Sequence, residues 1–219
     1  INTFSLDDWS AVVFGSRVNI LFASIGIALF IGVPAIAILY GGIRLLFGMR
    51  REVKGLGIAF TTLWIIGLAL CLYSGASLGS QFKSDDEVVE SIALTVVTSD
   101  TLNLALNPDM FVVPKKNRYR SRNNFLMKID NDEIFLGTPK LTIEKSLDTT
   151  FSVDVIKTSS GLNTREARQN AKAIKYDFGI SNNTLSVNPY YSFDLDNSFR
   201  NQEVGIVVYV PEGKSIYIG

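Results

Sequence analysis

The chain has 219 residues, with 21 basic and 21 acidic side chains, no histidine and one cysteine; 47% of its residues are hydrophobic. A net charge of zero, with no long basic run outside one turn, argues against nucleic acid as a partner. The missing histidine removes Ser–His–Asp triads, Cys–His nucleophile pairs and histidine metal sites, and the lone Cys71 can form no internal disulfide.

Ser5 followed by Asp8 has the spacing of a helix N-terminal capping box, and Phe4, Leu6, Trp9, Val12, Val13 and Phe14 supply an apolar face. Residues 1–17 are therefore expected to form an amphipathic helix at a membrane surface, with Trp9 at headgroup level; an N-terminal extension of the next helix reads equally well. Residues 18–43 carry Asn19 as the one strongly polar side chain, and residues 55–78 carry no charge. Either stretch exceeds the roughly 20 apolar residues needed to cross a hydrocarbon core about 30 Å thick. Two transmembrane helices are thus expected within residues 18–80, with Cys71 in the second. Pro34 should kink the first helix, and the small residues in both allow other helices to approach closely. Neither span holds a buried acid, base or charge pair of the kind that marks an ion path, so transport by the hairpin alone is not expected.

The connection at 44–54 carries Arg44, Arg50, Arg51 and Lys54 against Glu52 alone, whereas the far ends are more acidic. Basic turns stay in the cytoplasm, which sends both outer ends to the opposite face, the periplasm of a two-membrane bacterium. A chain beginning at Ile1 with its N-terminal end outside is expected to be a fragment preceded by further sequence.

Residues 81–90 turn polar and acidic and read as a linker; from 91 to 219 the periodicity becomes two, as in a β-rich domain. Strands are expected at 91–98, 101–106, 110–113, 126–130, 133–137, 141–145, 150–157, 174–180, 184–187, 203–210 and 214–218. One helix interrupts them at 164–173, where Asn163 and Glu166 make a capping box and Ala167, Ala171 and Ile174 form a stripe. Asn182-Asn183 suits a hairpin turn. Residues 115–122 hold five basic side chains and Tyr119, read as a solvated loop before a site for an acidic partner or lipid headgroups.

The run Ala167-Arg-Gln-Asn-Ala171-Lys-Ala-Ile174-Lys-Tyr176, the segment Asn183 to Phe193, and Val204 to Gly213 with Pro211-Glu212 resemble the C-terminal region of the PspC domain-containing membrane proteins of Bacteroidetes. The hairpin around Tyr40-Gly-Gly-Ile-Arg44-Leu-Leu-Phe47 resembles the membrane segment that precedes that region. The resemblance implies an inner-membrane protein linked to the phage-shock envelope-stress response, with a toast-rack, β-solenoid-like periplasmic domain. The PspC segment itself is not among these residues, and no catalytic, cofactor or metal residue comes with the resemblance.

The expected function is that of a non-enzymatic envelope protein, a scaffold or stress sensor whose β domain binds itself or a protein partner, anchored in the bilayer and packed against other membrane helices. The alternative is an accessory subunit of a larger inner-membrane complex. An enzymatic reading rests on Asp194 and Asp196, which would share a face if both lay on one strand.

Overall fold

The computed structural model describes residues 17–47, 55–95, 97, 99–106, 119–120, 126–130, 133–137 and 139–219. They form two compact units, one holding the apolar helices up to Ser80 and the other running from Gln81 to Gly219. The expected surface helix at 1–17, most of the basic turn, the strand at 110–113 and most of the basic segment 115–122 lie outside the described residues.

In the first unit, α1 (Arg17–Leu46) and α2 (Leu56–Ser80) are both long and apolar enough to cross a bilayer. Helix α1 stays helical on both sides of Pro34. The pair packs as an antiparallel hairpin with small residues at the seam. A Cβ on Gly26 would lie 3.0 Å from Leu70 Cβ and 3.1 Å from Cys71 N, and one on Gly67 would lie 2.7 Å from Leu29 Cβ. Only hydrogen fits there, which lets the backbones close up. Phe22 meets Tyr73 edge to face at 6.1 Å and Phe30 stacks on Trp64 at 5.7 Å, so aromatic pairs flank the glycine contacts. The hydroxyls of Ser24, Thr61 and Thr62 donate to carbonyls one turn back, the arrangement that satisfies a hydroxyl where water is scarce.

The second unit holds twelve strands among its described residues, in three open four-stranded sheets. The first is ordered β1 (Ser84–Ala93), β7 (Ser152–Gly161), β11 (Glu203–Val210), β6 (Lys140–Lys145). The second runs β10 (Tyr190–Asp194), β5 (Glu133–Gly137), β4 (Leu126–Asp130), β3 (Tyr119–Arg120). The third runs β12 (Ser215–Ile218), β2 (Thr101–Leu106), β9 (Thr184–Val187), β8 (Phe178–Ser181). Hairpin pairings are antiparallel, but β6–β11, β2–β9 and β2–β12 join distant segments in parallel. Inward faces of all three sheets supply the core: Val153 and Val155 from β7, Ile206 and Val208 from β11, Leu102 and Leu104 from β2, Ile134 and Leu136 from β5, and Phe193 from β10. Each of these is nearly or wholly removed from water, and together they supply the main drive for folding this unit.

Helix α3 (Thr164–Lys172) covers the end of β7 through Ala167 and Ala171, both fully buried. Asn163 caps it, its Oδ1 accepting the Glu166 amide at 3.0 Å. The turn at Asn182-Asn183 has positive φ at both positions, 46° and 61°, as a two-residue hairpin between β8 and β9 requires.

Three expectations from the sequence are corrected. Residues 81–90 are not a linker: from Ser84 they form β1, paired along its whole length with β7. The strand expected at 91–98 ends at Ala93, after which Leu94 and Val97 tuck into the core. The strand expected at 174–180 starts only at Phe178, because Ile174 closes the helix end and Lys175 makes a single bridge to Ser192.

Candidate functional site

Among the described residues no cluster of three or more Asp, Glu, Cys or His side chains could hold a metal ion. The two acids that carried the enzymatic reading do not share a strand. Strand β10 ends at Asp194, and Asp196 falls in the short 3-10 turn Leu195–Asn197 that follows. Asp194 is also occupied: the Lys175 ammonium donates to it at 2.7 Å and to Glu133 at 2.5 Å, clamping the cross-strand pair Glu133–Asp194 at the sheet end. The two carboxylates, Asp194 first, push the Lys175 pKa above its ordinary 10.5.

A second polar cluster fastens the loop before β11. Ser160 donates to Asp85 Oδ1 at 2.5 Å, its backbone N–H donates to the Arg200 carbonyl, and Ser159 Oγ donates to that same carbonyl. Arg200 N–H donates to Gln202 Oε1, Gln202 Nε2 donates to the Ser198 carbonyl, and the Tyr191 hydroxyl donates to the Gln202 carbonyl at 2.7 Å. Ser198 and Asn201 hold positive φ within this loop. Burial lowers the Arg200 pKa and raises those of Tyr176 and Tyr191 by removing water from their charged forms. With its polar groups satisfied internally and little solvent access, the cluster is a structural pin. Two residues before Ser159 on the same face of β7, Lys157 is buried and its ammonium reaches Glu90 on β1 at 2.8 Å.

One open sheet edge lies along β6. This strand pairs with β11 on one side and has no strand on the other among the described residues. Leu141 is 39% and Ile143 44% exposed, although the β11 residues beside them, Ile206 and Val208, are buried. The core face of the sheet thus runs out to a rim that the described residues do not cover. Leu141 also borders an apolar groove of about 310 Å³ with Leu106, Pro139, Val187, Tyr190 and Ile206. On the other face, Glu144 and Tyr209 line a wider cleft of about 760 Å³ with Ser91, Ser152 and Asp154. There the Tyr209 phenol is pushed up, by lost hydration first and then by the Asp154 and Glu144 carboxylates. Lys145 is held back at the strand end by Glu212 at 3.1 Å. An exposed apolar edge with hydrogen-bonding groups along one side can recruit another strand, which is binding chemistry. The sequence revealed β6 as a strand; its position at a sheet edge follows from the long-range β6–β11 pairing, which leaves no local signature.

Two family models match the chain. Residues 1–82 match one described as the PspC transmembrane region, and residues 128–219 match one described as a ToastRack found in some PspC. No curated protein and no solved structure matches it.

Proposed function

The chain belongs to the PspC-related membrane proteins, in its transmembrane region and in its toast-rack domain, and from that premise we propose that it is a non-enzymatic envelope protein. In this reading the hairpin anchors the chain in the bacterial inner membrane, with the basic turn in the cytoplasm and the β domain in the periplasm. There the β domain serves as a scaffold or stress-response sensor that works by assembling with itself or with a protein partner. The parallel pairings between distant segments, β2 with β9 and β12, and β6 with β11, support a solenoid-like stacking of the domain.

The observation that carries the proposal is the open β6 edge, whose Leu141 and Ile143 remain exposed beside the buried Ile206 and Val208 of β11. Binding through an edge needs no reactive group, and the acids nearest to a reactive arrangement are tied up or separated. The test is purification of the full-length protein in mild detergent, followed by mass spectrometry of everything present in near-equal amount. Recovery as a homo-oligomer is expected. A reproducible foreign subunit at equal stoichiometry would replace this reading with that of an accessory subunit of a larger membrane complex.

A further inference from the structure

The β6 strand reads Lys140-Leu141-Thr142-Ile143-Glu144-Lys145, and its first five residues are complementary to themselves when reversed. We propose that β6 is a homodimer edge, pairing antiparallel with β6 of a second copy about a two-fold axis through Thr142. This deepens the self-assembly reading above and rests on it.

A two-fold axis normal to a sheet reverses strand direction and leaves every residue on its own face. Residues that oppose each other must then be an even number of positions apart, so the possible centres are single residues. Centred on Thr142, Lys140 faces Glu144 of the second copy, Leu141 faces its Ile143, and Thr142 faces its Thr142; symmetry repeats each unlike pair. Both opposite-charge pairs and the Thr pair then lie on the face of the wide cleft. Both apolar pairs lie on the core face, where they cover the two side chains left 39% and 44% exposed. Opposite charges, apolar pairs and Thr–Thr pairs are the combinations that stabilise facing positions across a sheet.

The neighbouring centres fail. Centring on Ile143 sets Leu141 against Lys145 and Thr142 against Glu144, and centring on Leu141 sets Lys140 against Thr142. Lys145 takes no part in the Thr142-centred pairing beyond its rim, and its ammonium is already engaged by Glu212. The product is one continuous sheet of eight strands, with β1 at both ends. Those ends are not free to repeat the contact, since β1 carries Asp85, Asp86, Glu87 and Glu90. Such acids discourage edge-to-edge growth, so the assembly closes at two. Two membrane helices per copy restrict the domains to one surface, which raises their effective concentration and lets a short interface suffice.

The experiment uses the full-length chain in nanodiscs and in mild detergent, with the monomer–dimer equilibrium read by native mass spectrometry and sedimentation. Lys140→Glu places Glu against Glu144 twice, and Glu144→Lys places Lys against Lys140 twice. Either should weaken dimerisation on the order of tenfold or more. The double variant Lys140→Glu/Glu144→Lys restores the pattern with inverted signs and should recover the dimer. In a Cys71→Ala background, Thr142→Cys should cross-link between copies with a short bis-thiol reagent, while Leu147→Cys, fully exposed in the following loop, should not. Failure of the double variant to recover the dimer, with unchanged circular dichroism, would overturn the proposal. A dimer that persists in all variants without Thr142 cross-links would also overturn it, placing self-association in the helices and sparing the broader reading. A monomer whose edge is protected from hydrogen exchange would show that the chain covers β6 itself.

Discussion

Replacement of Gly161 by alanine tests the packing of α3 on β7, which holds the buried polar pin in place. A Cβ at this position would lie 2.6 Å from Ala167 N, 3.0 Å from Glu166 C and 3.1 Å from Ala167 Cα. All three are backbone atoms, so no side chain can swing away, and the helix must retreat by about 1 Å to reach ordinary contact. Retreat uncovers Ala167 and Ala171, now fully buried, and stretches the 2.9 Å bond from Asn170 Nδ2 to the Ser160 carbonyl. Overpacking of this kind costs about 1–3 kcal/mol, and loss of a partly buried hydrogen bond adds about 1 kcal/mol. Against this, alanine reduces the freedom of the unfolded chain and returns about 0.4–1 kcal/mol. The net expectation is a loss of about 1–3.5 kcal/mol in the stability of the β domain. Urea unfolding followed by circular dichroism, with hydrogen exchange at α3 and β7 as the local readout, measures it. Gly205→Ala, on β11 of the same domain, serves as the control, because the added methyl would meet only Ile156, at 3.7 Å and beyond, which is ordinary contact. A Gly161→Ala loss below about 0.5 kcal/mol, within the range of ordinary surface substitutions, would refute the described approach of helix to strand.

Three further outcomes follow from named contacts. Asn163→Ala removes the acceptor for the Glu166 amide and should cost about 1 kcal/mol in domain unfolding, with fraying confined to the first turn of α3. Tyr191→Phe leaves the buried Gln202 carbonyl without its donor and should cost about 1–2 kcal/mol, seen as a lower urea midpoint at unchanged slope. Stability should also fall as pH rises above about 10: Tyr176 and Tyr191 are held neutral in the folded domain by burial and ionise freely when unfolded, so the unfolded state binds fewer protons there. Lys175 has the same sign. Its folded pKa is raised by Asp194 and Glu133, so its contribution is full below 10.5 and lost as pH climbs through the folded value. Because Lys175 is half exposed, Lys175→Met should change that alkaline slope less than Tyr191→Phe does, and a pH titration of the urea midpoint compares the two.

Both apolar helices were legible in the sequence because hydrophobic length is a local property, and the observed bounds differ from the expected ones by three residues or fewer. The strands at Leu126–Asp130, Glu133–Gly137, Thr184–Val187 and Glu203–Val210 coincide with the alternation that announced them, and α3 begins at the expected residue. The linker that became β1 shows where local reading stops. Asp85, Asp86 and Glu90 look like solvated acids until Ser160, Arg168 and Lys157 arrive from seventy or more positions away to bond the first two and from 67 to pair the third. Ile174 belongs to both a helical stripe and a β alternation, and burial against the helix end decided between them. The candidate edge was hidden for a related reason. The strand Lys140–Lys145 is visible in the sequence, but its place at the rim depends on which strand claims its other side. Asp194 and Asp196 do not share a strand face because the chain enters the 3-10 turn Leu195–Asn197 immediately after Asp194.

The measurement that bears most directly on the account is the sidedness of the two ends of the second helix. In a Cys71→Ala background, single cysteines at Met49, in the basic turn, and at Leu147, fully exposed on the β domain, are treated with a membrane-impermeant thiol reagent in intact spheroplasts. Labelling at Leu147→Cys alone is the predicted result and leaves the β domain facing the periplasm, where it can assemble. Labelling at Met49→Cys alone would contradict the account, because the domain would then lie in the cytoplasm.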